Sequence, residues 1–409
     1  MKYTNRKDGN PIKPAVSDVY DFGFQGKSEK DAMDIEASPE AQFTHMPAES
    51  MTGVPLEITR ACATFSGQMY EVTDPTNSRN AFELSTDGFE CTIVLSDLDH
   101  ESPFGSSQAT NPPFAVALTK DSDAVTLICA WRGSDAIEDW AVNLAATPVH
   151  SSSWFESAPG LRAHGGYTAT VESDLTKHEA ALLELIEDFG VTRLVFTGHS
   201  LAGGTACIGT IVLRGRMQQA GSPWAAVADK VDVRTVAFSA PGATIQDVSK
   251  ANDATKAFAA DVSARSVNLV AWMDIVPRLT TDLGFVNRYL ENSLASLAEL
   301  EVPLPKLLYN LIDIRHKIDS LYEEGKDAGP VMELLGVAKT LVHSCPLVMY
   351  EDLDSEPLRL LDSLDPTDDP AYLEAYKYKK LKKDENVITR ILYEHKLTYN
   401  GLSYNKQTE

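Results

Sequence analysis

Residues 194–204 read LVFTGHSLAGG, a β-prone run that passes through Gly198-His199-Ser200 into a helix start built of small residues. Val195, Phe196 and Thr197 favour an extended backbone, and the small residues after Ser200 let a helix fold back closely on the strand. A serine on so tight a strand-to-helix turn is lifted out of the sheet, and the first amides of the helix point at the same spot. Small side chains are needed two positions before and two after it, because the two backbones nearly touch there. Gly198 meets that need. Ala202 departs from the usual G-x-S-x-G by one methyl, which Gly203 and Gly204 leave room for. The competing reading is an ordinary strand, turn and helix with an incidental serine, so partners must be found elsewhere in the chain.

Outward from this stretch, apolar strand-like runs occupy residues 91–96, 114–118, 125–131, 194–197, 233–239 and 266–272. Between two of them, Leu182, Leu185, Ile186 and Phe189 recur at helical spacing, with Ser173 as the expected N-cap and Gly190 as the stop. Such alternation predicts an α/β chain with a mostly parallel sheet covered on both faces. Catalytic groups in such sheets gather at the carboxyl ends of the strands. Residues 1–55 are polar, lack periodicity and read as an N-terminal arm. Residues 56–409 are expected to form one domain, with a helical insertion at about 283–339.

The balance of 36 basic against 59 acidic residues, a net charge of −23, repels phosphate backbones and excludes nucleic acid as an expected partner. The five cysteines show no C-x-x-C spacing and suggest neither a disulfide framework nor a zinc site. No metal or cofactor is expected. With no apolar leader at the amino terminus and no long apolar run, a soluble cytoplasmic protein is expected.

A serine hydroxyl needs a base, and the elbow predicts the chain order serine, acid, histidine. Asp274 follows the strand-like run 266–272 and precedes Pro277, a place suited to orienting an imidazole, although a turn-forming aspartate would look the same. Three histidines lie downstream. His316 has charged neighbours in a helical pattern, His343 follows the apolar run 337–342, and His395 sits near the chain end in a segment with one apolar side. An oxyanion needs donors. The amide of Leu201 is one candidate. The other is Ser134, in the loop that closes Ala130-Trp131-Arg132-Gly133-Ser134; His164-Gly165-Gly166 is a rival that we read as structural.

Four separated motifs now resemble the class 3, fungal-type lipases of the α/β-hydrolase fold: AWRGSDAIEDW at 130–140, HGGY at 164–167, GHSLAGG at 198–204 and DIVPR at 274–278. They stand in the family's order, and the resemblance covers roughly residues 60–280, with the tail at 385–402 rejoining it. It implies Ser200 as nucleophile, Asp274 as acid, Ser134 and Leu201 as oxyanion donors and a lid near residues 135–144. Departures are Trp131 for the usual phenylalanine, Ala202, and Ser239-Ala240-Pro241-Gly242 where F-G-x-P-R is typical. The end of the chain, Glu394-His395 followed by Tyr399, resembles that of the intracellular diacylglycerol-lipase-like branch, which favours His395 as the base and keeps His343 as the alternative.

The resemblance therefore implies a serine ester hydrolase acting on acylglycerols, with a phospholipase A1 or galactolipase as the alternative substrate reading. A lipase-fold interaction protein without catalysis is the alternative from another class. The insertion carries Leu307, Leu311, Ile314, Ile318 and Leu321 at heptad-like steps and is read as a helical hairpin packed on the core, or as a cap over the acyl pocket. Lysines 377, 379, 380, 382 and 383 are read as a solvated face, with transient contact to an anionic lipid interface as the functional alternative.

Overall fold

A computed structural model describes residues 53–73, 82, 84–85, 89–98, 113–121, 123–133, 149–150, 158–246, 251–271, 274, 276–278, 347–350, 359–361 and 395, together with 3–4 and 11–12. In the arm, β1 (Tyr3–Thr4) pairs antiparallel with β2 (Pro11–Ile12). Helix α1 (Leu56–Thr73) precedes three antiparallel strands, β3 (Cys91–Asp97), β4 (Phe114–Lys120) and β5 (Val125–Trp131). Then follow β6 (Val149–His150), β7 (Leu161–His164), α2 (Gly165–Lys177), α3 (Glu179–Phe189), β8 (Arg193–His199) and α4 (Leu201–Gln218). The order closes with β9 (Asp232–Phe238), β10 (Thr244–Gln246), α5 (Asp253–Ala264), β11 (Ser266–Ala271), β12 (Leu347–Tyr350) and β13 (Arg359–Leu361).

Eight strands form one sheet in the order β13-β12-β11-β9-β8-β5-β4-β3. The run from β5 through β8, β9 and β11 to β12 is parallel, and both flanks are antiparallel. A smaller sheet, β10-β7-β6, stands apart and ends at His164. The parallel core matches the expectation of a mostly parallel sheet. Each of the six expected strands is present, with ends shifted by at most two residues.

The central strands read as continuous apolar runs because both of their faces are covered. Alternate residues serve different layers. In β5, Leu127, Cys129 and Trp131 join the core beneath α2, α3 and α4, while Ile128 and Ala130 face the core that α1 closes. In β8, Leu194 and Phe196 take the first side and Val195 the second. From α1, Ile58, Ala61, Cys62, Phe65 and Met69 pack on that second face, fully buried. Burial raises the thiol pKa values of Cys62 and Cys129 strongly and pushes that of Cys91 up to about 12, so these residues behave as small apolar side chains.

One expected boundary needs correction. Ser173 does not cap the helix that carries Leu182 and Ile186; it lies inside α2, and α3 begins after His178. The chain breaks at His178 (φ −106°, ψ 6°), whose backbone N–H donates to the Asp174 carbonyl and ends α2 before α3 starts. Gly190 does end α3, in the left-handed conformation at φ 62°. The insertion at about 283–339 and the lysine cluster at 377–383 lie outside the described residues.

Trp131, where the family pattern has phenylalanine, brings an indole N–H into a fully buried place. Its Nε1–H donates to Asp174 Oδ2 at 2.7 Å, and Asp174 itself is 1% exposed. The strand end that leads into Arg132 and Gly133 is thereby tied to α2. Trp131→Phe takes a donor from a buried carboxylate and is expected to cost about 1–3 kcal/mol. Trp131→Phe with Asp174→Leu should recover part of that loss; urea unfolding of the two single variants and the double variant measures the coupling. Strictly additive losses would show that the bond contributes nothing.

Candidate active site

Ser200 stands where β8 turns into α4, at the N-cap position, with φ 62° and ψ −129°. That conformation is sparsely populated for a residue with a Cβ and costs on the order of 1–3 kcal/mol. The neighbours hold it there. Ser200 N–H donates to the Phe238 carbonyl at 3.0 Å, and Gly203 N–H closes the first helical turn on the Ser200 carbonyl at 2.9 Å. The serine side chain makes no capping bond to the helix.

Close approach of strand and helix explains the small residues. A Cβ on Gly198 would sit 2.6 Å from the carbonyl carbon and oxygen of Ala202 and 2.7 Å from its Cβ. The methyl of Ala202 fits because its partner across the turn is glycine. Gly203 is likewise required, since its Cβ would lie 2.7 Å from that of Ala240. Ala240 belongs to the segment that departs from the family pattern, and Asn268 fixes it with two buried bonds. Ala240 N–H donates to Asn268 Oδ1 at 3.0 Å, and Asn268 Nδ2 donates to the Ala240 carbonyl at 2.8 Å. Asn268 was not singled out from sequence; a polar residue flanked by the apolar Val267 and Leu269–Trp272 was its signal.

Asp274 follows β11 and is fully buried. Its Oδ1 accepts the Val276 N–H at 2.9 Å, a local turn bond that orients the carboxylate. His395, brought from near the chain end, places Nδ1 at 3.2 Å from Oδ1 and 3.1 Å from Oδ2 of Asp274. Carboxylate oxygens accept, so Nδ1 carries the hydrogen and Nε2 keeps a lone pair. His395 is 4% exposed, and its ring centroid lies 4.4 Å from that of His199, the residue directly before Ser200. Serine, aspartate and histidine thus converge on the end of β8. His343 lies outside the described residues, as do Ser134 and the segment 135–144.

Residues 128–283 match the family model described as lipase (class 3). Over these residues the chain is similar to the class 3 lipases. That match takes in the elbow, Asp274 and the loop after β5, and leaves out α1 and His395. The chain is also similar to solved fungal lipases. One is the Rhizomucor miehei lipase propeptide complex, at 14% identity over 87% of this chain and 84% of that chain, with a TM-score of 0.49. The lipase of Rhizopus microsporus var. chinensis is 11% identical over 86% and 95%, at 0.46. A mutant form of MDLA from Penicillium cyclopium is 15% identical over 86% and 97%, also at 0.46.

The loop after β5, expected to supply an oxyanion donor, runs beside the elbow. Arg132 N–H donates to the Pro113 carbonyl at 3.1 Å, and a Cβ on Gly133 would stand 2.6 Å from the His199 carbonyl oxygen. Gly133 is therefore the residue that lets this loop approach. Leu201 opens α4, where the first amides have no acceptor within the helix and carry its positive dipole end. His164, the rival, precedes α2, stacks on Tyr167 at 4.2 Å and receives the Thr168 hydroxyl on its carbonyl, a packing role. Among the described residues, no group of three or more His, Cys, Asp or Glu side chains could hold a metal ion.

Proposed function

We propose that this protein is a class 3 lipase that cleaves acyl esters of acylglycerols through an acyl-enzyme on Ser200. The observation that supports the reading best is the buried Asp274–His395 pair packed on His199, the residue directly before Ser200 in a strained elbow. His395 Nε2 takes the Ser200 proton as Oγ attacks the ester carbonyl, and the amides of Leu201 and Ser134 hold the oxyanion. The imidazolium then returns the proton to the departing alcohol. Water, deprotonated by the same nitrogen, attacks the acyl-enzyme, and the fatty acid leaves as Ser200 regains its proton. Asp274 holds the Nδ1–H tautomer throughout.

The substrate would be a lipid ester met at an interface through transient contact, with the segment 135–144 as lid and a reducing compartment such as the cytoplasm as the setting. The four described cysteines are all free and buried. Hydrolysis of a chain-length series of esters, below and above their solubility limits, by wild type and Ser200→Ala side by side tests the reading. Expected is Ser200-dependent turnover that rises with long chains once an interface forms. Turnover confined to short soluble esters would replace the lipase with an esterase, and no turnover from a folded protein would favour an interaction role.

A further inference from the structure

Both ring nitrogens of His199 are engaged, although the mechanism above gives that ring no chemical role. Nε2 lies 2.8 Å from the backbone carbonyl oxygen of His395, and Nδ1 lies 3.0 Å from the hydroxyl of Tyr70. A carbonyl only accepts, so Nε2 carries the hydrogen. Nδ1 of the neutral ring is then an acceptor, and Tyr70 donates to it. The same hydroxyl stands 3.4 Å from the His199 carbonyl oxygen and abuts the place where a Cβ of Gly133 would be. His199 is 3% exposed, and the Tyr70 ring meets it edge-on at 5.8 Å.

We infer that Tyr70 and His199 form a positioning relay for the base, an inference that rests on the function proposed above. His199 holds the backbone of His395 while Asp274 holds its ring, so the imidazole is fixed at two independent points. The second support matters because His395 arrives from 121 residues beyond Asp274. Tyr70 sets the His199 tautomer: by donating to Nδ1 it keeps the hydrogen on Nε2, where the His395 carbonyl needs it. It also spaces the Gly133 loop from the elbow, so one hydroxyl positions the base and the oxyanion loop together. Tyr70 lies on α1 and His395 near the chain end, both outside the segment 128–283 that matches the family model. The relay therefore gives α1 a positioning purpose beyond covering the sheet.

The test compares kcat and KM on a soluble short-chain ester, and the rate of Ser200 labelling by a fluorophosphonate, for wild type, Tyr70→Phe, His199→Leu, His199→Gln, the Tyr70→Phe/His199→Leu double variant and Ser200→Ala. His199→Leu should lower kcat and the labelling rate by about 100-fold with KM nearly unchanged, as a small misplacement of a reacting group does. His199→Gln should recover most of the loss, because its amide supplies an N–H to the carbonyl and an oxygen to the tyrosine. Tyr70→Phe should cost about fivefold, the value of one neutral hydrogen bond, and nothing further in the His199→Leu background. Ser200-dependent turnover that His199→Leu leaves within twofold of wild type, or a glutamine variant no better than leucine, would overturn the relay alone. Should His199→Leu fail to fold, Tyr70→Phe decides, and an unchanged kcat overturns it. Turnover that survives Ser200→Ala would overturn the serine mechanism and the relay with it.

Discussion

Ser200→Ala is expected to lower kcat by about a million-fold, to the level left by binding and oxyanion donors alone. Stability should hardly change, because the lost hydroxyl makes no capping bond to α4 and the methyl keeps the same backbone demands. A second variant separates chemistry from strain. Ser200→Gly should be equally inactive yet melt higher than Ser200→Ala, since glycine accepts φ 62° without penalty. Residues that act as one unit lose nearly everything together, so His395→Ala should match Ser200→Ala, whereas His343→Ala should remain active. Ester hydrolysis and a thermal melt on each variant decide the matter. If His343→Ala proved inactive and His395→Ala active, the base would be His343.

Asp274→Asn is the second large effect, about ten-thousand-fold in kcat with the fold retained. The argument is one of tautomers. Oδ1 of Asp274 already accepts the Val276 N–H, so an asparagine there keeps its oxygen toward that amide and turns its NH2 toward His395. An NH2 cannot accept from Nδ1–H. The imidazole must then place its hydrogen on Nε2, the nitrogen meant to receive the serine proton, and the base is disabled without any atom being removed. Single-turnover acylation should fall with kcat while KM holds. A loss below tenfold would mean that Asp274 only packs against the ring.

Much of this was legible in the chain because its signals are local. The elbow could be read at Gly198, Ser200 and Gly203 since contact between strand and helix forbids larger residues there, and continuous apolar runs at 125–131 and 194–197 marked strands with two covered faces. The α2–α3 break was not legible, because His178 interrupts a pattern that continues to look helical. Nor were Tyr70, Asp174 and Asn268, whose partners stand 129, 43 and 28 residues away and leave no periodic trace. Three histidines satisfied the required order for the same reason: order along a chain does not say which ring reaches Asp274. Only the folded chain brings His395 to both carboxylate oxygens.

The bond from Trp131 to Asp174 also constrains history. An indole at 131 without an acceptor at 174, or an aspartate at 174 without the indole, each places a polar group in the dry interior with one partner fewer. Neither group placed there without the other is neutral. The two positions form an epistatic pair, and a lineage crosses between the two states through a weakened intermediate or with a compensating change already in place. Substitutions at these two positions should therefore be introduced in pairs.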